Sequence, residues 1–281
     1  MNLLYLKRRA INAIALTLAS AAMLIGLLWL CWILFGLLKN GLPGISWHLF
    51  ARMTQSPGSG GGLLNAIMGS FLMVLFGTVI GTPIALLVAT YLTEYGNHNR
   101  LKKIVQFVND ILLSAPSIII GLFIYQIYVI RVHHFSGWAG SLALALLVIP
   151  IVVRTTEDMF LLVPNTLREA AFALGAPRWK VILHIVLRVS RTGVLTGILL
   201  AIARISGETA PLLFTALNNQ FFTLNMNQPM GNLPSVIFQY AMSPYEDWHQ
   251  LAWTGALLIT IFVLSLNITV RVLFKQNSPI H

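Results

Sequence analysis

"LVPNTLREAAFALGAPRWKVILHIVLRVSRTG", Leu162–Gly193, stands between two apolar runs, yet it is too ordered for a simple connection. Thr166 and Glu169 have the spacing of a capping box. Leu167, Ala170, Ala171 and Leu174 then recur at the spacing of one helical face. Gly175 is placed to end that helix in the left-handed conformation. Pro177 cannot continue it but suits the first turn of another. The pattern predicts a helix of about two turns, bounded at both ends. A second helix follows, with Trp179, Ile182, Leu183, Val186 and Leu187 on one face. Its Arg178, Lys180 and Arg188 are spaced to reach lipid headgroups, so it reads as an interfacial segment feeding the next run.

The surroundings are a membrane protein's. Of 281 residues, 57% are hydrophobic and 9% charged, and the mean hydropathy is +0.80. A soluble domain carries about 25% charged residues. A membrane helix needs about 20 apolar residues. Six runs meet or approach that length: Ile14–Leu38, Leu64–Leu92, Ile104–Ile130, Gly140–Leu162, Gly193–Leu217 and Leu251–Leu273. The expected fold is all-α, polytopic, with six transmembrane helices. The first run is longer than a signal h-region of about 7–15 residues, so it is read as an uncleaved helix. Residues 1–63 then form a tail, one membrane helix and an outer loop, and 64–281 a core of five membrane helices.

Charge sets the orientation. Lys7, Arg8, Arg9, Arg100, Lys102, Lys103, Arg168, Arg178, Lys180, Arg188, Arg191, Arg271 and Lys275 fall in segments on one side. Only Lys39, Arg52 and Arg131 fall on the other, and Asn218–Gln250 has no Lys or Arg. By the positive-inside rule both termini are cytoplasmic. The formal charge of +10 is then explained by topology and contact with anionic membrane lipid, with no nucleic-acid partner. "SPGSGGG", Ser56–Gly62, lies outside and lacks the Lys-Ser/Thr of a phosphate-binding loop. It reads as a flexible linker. No such loop occurs elsewhere, so ATP is not bound by this chain.

Inside the fifth run stand Arg204 and Glu208. A charge at the centre of a membrane helix costs about 2.5–3.5 kcal/mol on insertion scales. The two are four apart and able to pair, while Gly207 and Pro211 loosen the helix. Two readings stand: a self-neutralising pair packed between helices, or a site on a translocation route. Arg154, with Glu157 and Asp158 beside it, is also at membrane depth or at the headgroups. Asp110 reads as a helix cap or interhelical partner. His133 and His134 are adjacent and point apart, and Cys31 is the single cysteine, so neither a metal site nor a disulfide is expected. No catalytic constellation and no cofactor are expected.

"REAAFALGAPRWKVILHIVL", Arg168–Leu187, resembles the E-A-A-x-x-x-G loop of binding-protein-dependent ABC-importer permeases, with Glu169, Ala170, Ala171 and Gly175 at the motif positions. The later proline of that motif is absent, and Val189-Ser190 stands near its place. "NDILLSAPSIIIGLF" (Asn109–Phe123), "VIPIVVRTTEDM" (Val148–Met159) and "AIARISGETAPLLFTAL" (Ala201–Leu217) are similar to the phosphate-specific branch of the family. The resemblance runs from the first span to the C-terminus. It implies a MetI-like permease fold in a bacterial inner membrane. It also implies a coupling helix at Glu169, Ala170, Ala171, Leu174 and Gly175, and functional importance for Arg154, Arg204 and Glu208. The implied partners are a second related permease, two cytoplasmic ATPase subunits and an outer phosphate-binding protein, with inorganic phosphate as cargo. The alternatives are a permease for another oxyanion (sulfate, molybdate or phosphonate), or a channel or secondary transporter without an ATPase.

Overall fold

The computed structural model describes residues 3–96 and 100–275, which are helix and connecting segments throughout. α1 (Leu3–Gly41), α2 (Trp47–Ala51) and α3 (Leu64–Thr90) come first, and α3 runs on through a π turn at Tyr91–Tyr95. α4 (Arg100–Ser114) and α5 (Ser117–Ile124) follow, with a π turn at Tyr125–Val129 leading into α6 (Ile130–Val132). Next are α7 (Gly137–Leu161), α8 (Asn165–Ala173) and α9 (Arg178–Val181), the last joined by a π turn at Ile182–Val186 to α10 (Leu187–Ile205). α11 (Ala210–Thr215), α12 (Leu233–Ala241) and α13 (Glu246–Lys275) complete the chain.

Five helices are long and apolar enough to span a membrane, and six spans result if α4 and α5–α6 count as one. That third span is not the straight helix the apolar run Ile104–Ile130 suggests, because its halves bend by 107°. Pro116 has no N–H to continue α4 and disfavours helical geometry at Ala115. The fifth run is also broken. α10 stops at Ile205 and α11 starts at Ala210, where Pro211 occupies the first turn and loses no hydrogen bond there. The last helix begins at Glu246, five residues before the apolar run, with Glu246 and Asp247 in its first turn. Acidic groups are favourable at that end of a helix dipole.

α7 is the central helix. Leu144, Val148 and Val152 on it are fully buried among Met73 of α3, Ile205 of α10 and Leu212 of α11. α1 is peripheral, with 6% of its apolar window buried. It leans on α13 at one end, where Thr254 Oγ1 donates to the Gly41 carbonyl at 3.2 Å.

The three segments expected outside, Lys39–Leu63, a short one around Arg131–Trp138 and Asn218–Gln250, gather at one end. Asn65 Nδ2 donates to the Asn219 carbonyl at 2.7 Å, Trp248 Nε1 to the Gln55 carbonyl at 3.3 Å, and the Gly137 amide to the Gln228 carbonyl at 3.1 Å. The Ser56–Gly62 stretch is not a free linker. Its Gly58 amide donates to the Asp247 carboxylate, and the Gly62 amide to the Met53 carbonyl at 2.9 Å. The Asn218–Gln250 segment holds α12, capped by Asn232, whose Oδ1 accepts from the Ser235 amide at 2.9 Å. α8 and α9 lie at the opposite end. The chain ends, 1–2 and 276–281, and the side chains of Arg271 and Lys275 lie outside what is described.

Candidate translocation site and coupling surface

α7 and α10 run antiparallel, and their register fixes depth. A Cβ on Gly193 would meet Met159, and one on Gly197 would meet Thr155. Ile205 lies in the same core as Val148 and Val152. Arg204 is therefore level with the middle of Gly137–Leu161. It occupies the last turn of α10, where a cation is favoured by the helix dipole. Its Nε is 3.9 Å from Glu208 Oε1, and the side chains are 48% and 17% exposed. Glu208 is not on the same helix face, as the unbroken run suggests. It sits in the break between α10 and α11, its amide donating to the Ile205 carbonyl at 3.2 Å.

The break is held from the far side. A Cβ on Gly121 of α5 would fall 2.6 Å from the Pro211 Cα, so the half-helices α5 and α11 meet backbone to backbone. The two interrupted spans thus support each other beside Arg204 and Glu208.

Arg154 is on α7, about two turns nearer the α8 end than Arg204 by that register. Its Nε is 3.6 Å from Asp158 Oδ2, and both side chains are half-exposed. Arg154 is bonded to Asp158, not to Arg204 or Glu208. Glu157 is buried and accepts from Gln106 Nε2 at 2.7 Å, so it belongs to the packing of α4 on α7. Asp110 is exposed. It is not a cap, since it lies within α4. Its neighbour Asn109 is the interhelical partner, reaching the Pro150 carbonyl at 3.5 Å. Among the described residues, no His, Cys, Asp and Glu cluster could hold a metal ion.

At the α8 end, the stop signal is as expected and the start signal is not. Gly175 has φ of +77°. Its amide donates to the Phe172 carbonyl at 2.9 Å, and the Ala176 amide to the Ala171 carbonyl at 3.1 Å, which is a Schellman closure. The capping box does not form. α8 begins at Asn165 with Pro164 as N-cap and no side-chain cap, which puts Thr166 inside the helix. Arg168 secures the start instead, donating through Nη1 to the Val163 carbonyl at 2.6 Å and to Asn165 Oδ1 at 3.2 Å. The expected face is divided as well. Ala171 is buried against its own chain, while Leu167, Ala170 and Leu174 are exposed, Leu174 by 89%. Glu169 is exposed and makes no ion pair among the described residues.

Two features escaped the sequence. Glu94 binds Arg168 at 2.9 Å; the only local sign was a lone acid just past an apolar run. Asn232, Leu233 and Pro234 carried the signal for α12, a capping residue followed by proline in the first turn.

Residues 81–279 match the family model described as "binding-protein-dependent transport system inner membrane component". The chain is 60% identical over 276 residues to the phosphate transport system permease protein PstA of Haemophilus influenzae, covering 98% of each. It is 34% identical to PstA 1 of Mycobacterium tuberculosis, covering 94% of this chain and 88% of that one. Among solved structures, the inward-facing MetNI methionine ABC transporter superposes with a TM-score of 0.59 at 20% identity, covering 76% of this chain and 93% of that one. That likeness carries the fold: an all-α MetI-like permease. The chain belongs to the family of binding-protein-dependent transport system inner membrane components, in the group of phosphate transport permeases called PstA.

Proposed function

We propose that this chain forms half of the membrane pathway of an ATP-driven importer of inorganic phosphate. One observation carries the reading. Arg204 is a half-exposed arginine at mid-depth beside a helix break. Lipid does not tolerate a charge there, so that face is turned to a water-filled route or to another protein. A guanidinium offers forked donors that match phosphate oxygens. Glu208, at 3.9 Å, competes with phosphate for the same cation. That competition keeps the anion from being trapped: phosphate displaces the carboxylate on entry, and the carboxylate displaces phosphate on exit. Arg154, about 10 Å further toward the α8 end by helical rise, is a second cationic station, shared with Asp158.

The chain does not hydrolyse ATP, and the remaining work falls to partners. A second related permease supplies the other half of the route. Two cytoplasmic ATPase subunits drive transport, one of them receiving α8 through Leu167, Ala170, Leu174 and the exposed Glu169, and an outer phosphate-binding protein delivers the anion. Both termini are cytoplasmic in this reading. It is supported by the basic residues around α8 and α9 and by the gathering of the basic-poor segments at the other end. Residues 64–281 make the permease core, and 1–63 add an anchoring helix and an outer segment.

The test is ATP-dependent uptake of labelled phosphate into proteoliposomes holding the four-subunit complex and its binding protein, with sulfate and molybdate as competitors. Uptake blocked by phosphate alone is expected. Uptake blocked equally by another oxyanion, or independent of the ATPase, overturns the reading.

A further inference from the structure

Arg168 is largely covered for a charged group at a membrane protein's edge, with its side chain 14% exposed and that of Glu94 8% exposed. Its guanidinium makes five hydrogen bonds to three parts of the chain. Nε and Nη2 donate to Glu94 Oε1 at 3.1 and 2.9 Å, in the π turn that ends α3. Nη2 also reaches the Phe160 carbonyl at 2.9 Å, in the last turn of α7, and Nη1 the Val163 carbonyl at 2.6 Å, in the turn just after it. Asn165 Oδ1, in the first turn of α8, completes the set at 3.2 Å. A planar fork with fixed donor directions holds such a junction rigidly, which an ammonium cannot do. Tyr95, next to Glu94, receives a second cation from the far side of α8, with the Arg178 guanidinium 5.1 Å from its ring centroid.

Among the described residues, the main packing of α8 is on α9 and the turn after it, the segments that follow it in the chain. Among the described residues, its side-chain hydrogen bonds to the end of α3 come from Arg168. We propose that the Arg168–Glu94 junction is the link by which displacement of α8 is imposed on α3, so that both are positioning residues for transport. The proposal rests on the reading of α8 as the surface that an ATPase moves. Coupling between distant sites is carried by packed side chains, ion-pair networks and rigid elements that shift together. A largely covered junction with five hydrogen bonds between α8, the end of α7 and the end of α3 is such an element. Without it, α8 stays docked but moves without α3.

The experiment uses the assembled complex in proteoliposomes, with Glu94→Gln and Arg168→Lys. Glu94→Gln keeps the shape and removes the charge. Arg168→Lys keeps the charge and loses the fork. In both, phosphate uptake is expected to fall about ten-fold while bound ATPase and basal hydrolysis stay within about two-fold, as for a lost coupling free energy. A spin label on α3 adds a readout that a merely structural role would not move. It is placed by Leu87→Cys in a Cys31→Ser background, at an exposed position. Trapping the ATPase with ATP and vanadate is expected to change its spectrum in the parent and not in the variants. Variants with uptake within about two-fold of the parent overturn the proposal, and so does a nucleotide-induced change of the label in the variants equal to the parent's. Loss of the ATPase from both variants also overturns it, because the junction then only holds the docking surface together. A parent complex that takes up no phosphate overturns the function proposed above. A working parent with fully working variants overturns this inference alone.

Discussion

Arg204 Nε lies 3.9 Å from Glu208 Oε1, and the helix that carries the arginine ends at the next residue. The pair spans a break, so the cation is on the last turn of a helix and the anion in the short link that follows it. Arg204→Gln is expected to abolish or strongly reduce phosphate uptake with insertion intact, since glutamine enters a membrane more easily than arginine. The double variant Arg204→Gln, Glu208→Gln separates the two roles. If the arginine only neutralises the carboxylate, labelled uptake per assembled complex recovers. If it meets phosphate, uptake stays low, which is the expected outcome. Exchanging the two residues moves the cation into that link and is expected to fail as well.

Gly175→Val forces a β-branched residue into a φ of +77°, a conformation that costs L-residues about 1–2 kcal/mol. The Schellman closure of α8 is expected to open, with loss of ATPase co-purification and uptake. Gly175→Asn, which tolerates that region better, is expected to keep most of both.

Ala170 and Ala171 are neighbours with opposite exposure. Ala170→Glu is expected to weaken ATPase binding with little change in the melting temperature of the isolated permease. Ala171→Glu puts an unpaired charge into the protein's own packing and is expected to lower that melting temperature, since such burial destabilises by about 3–5 kcal/mol. Equal behaviour of the two variants would show that α8 has no distinct docking face.

Gly121→Ala places a carbon 2.6 Å from the Pro211 Cα. Backbone cannot swing aside as a side-chain end can, so the junction of α5 and α11 must open. A loss of about 1–3 kcal/mol is expected from such overpacking, read as a lower melting temperature together with reduced uptake. Gly36→Ala has no neighbour within 4 Å of the added carbon and is expected to change neither.

Sidedness is tested with single cysteines in a Cys31→Ser background. Ser59→Cys is expected to react with an impermeant maleimide in intact cells, and Ala173→Cys only after permeabilisation. Labelling of Ala173→Cys from outside would invert the topology.

Some of this was legible from local patterns. Apolar length and the sparse charge made a membrane protein unavoidable, because no soluble core could be covered by so few polar residues. The bias of Lys and Arg sorted the connecting segments into two groups, and the structure gathers the basic-poor group at one end. Gly175 announced its own left-handed turn, since the requirement belongs to that residue and its immediate neighbours. The capping box failed for the opposite reason. Thr166 and Glu169 had the right spacing, but Pro164 was already extended and Arg168 already held the first turn.

Only the tertiary structure decided where the charges go. Arg204 and Glu208 looked like one face of a continuous helix, and the chain breaks between them because Pro211 and α5 favour a new helix start there. Arg154 had two acids within reach in the sequence, Glu157 and Asp158, and packing gave it Asp158 and gave Glu157 to Gln106. Glu94 and Arg168, 74 residues apart, carried no mutual signal at all. Periodicity, capping and charge bias act within a few turns of chain, so a sequence displays them directly. The partner of a buried charge is chosen by which segments fold back on one another, and that choice is made only when the helices pack.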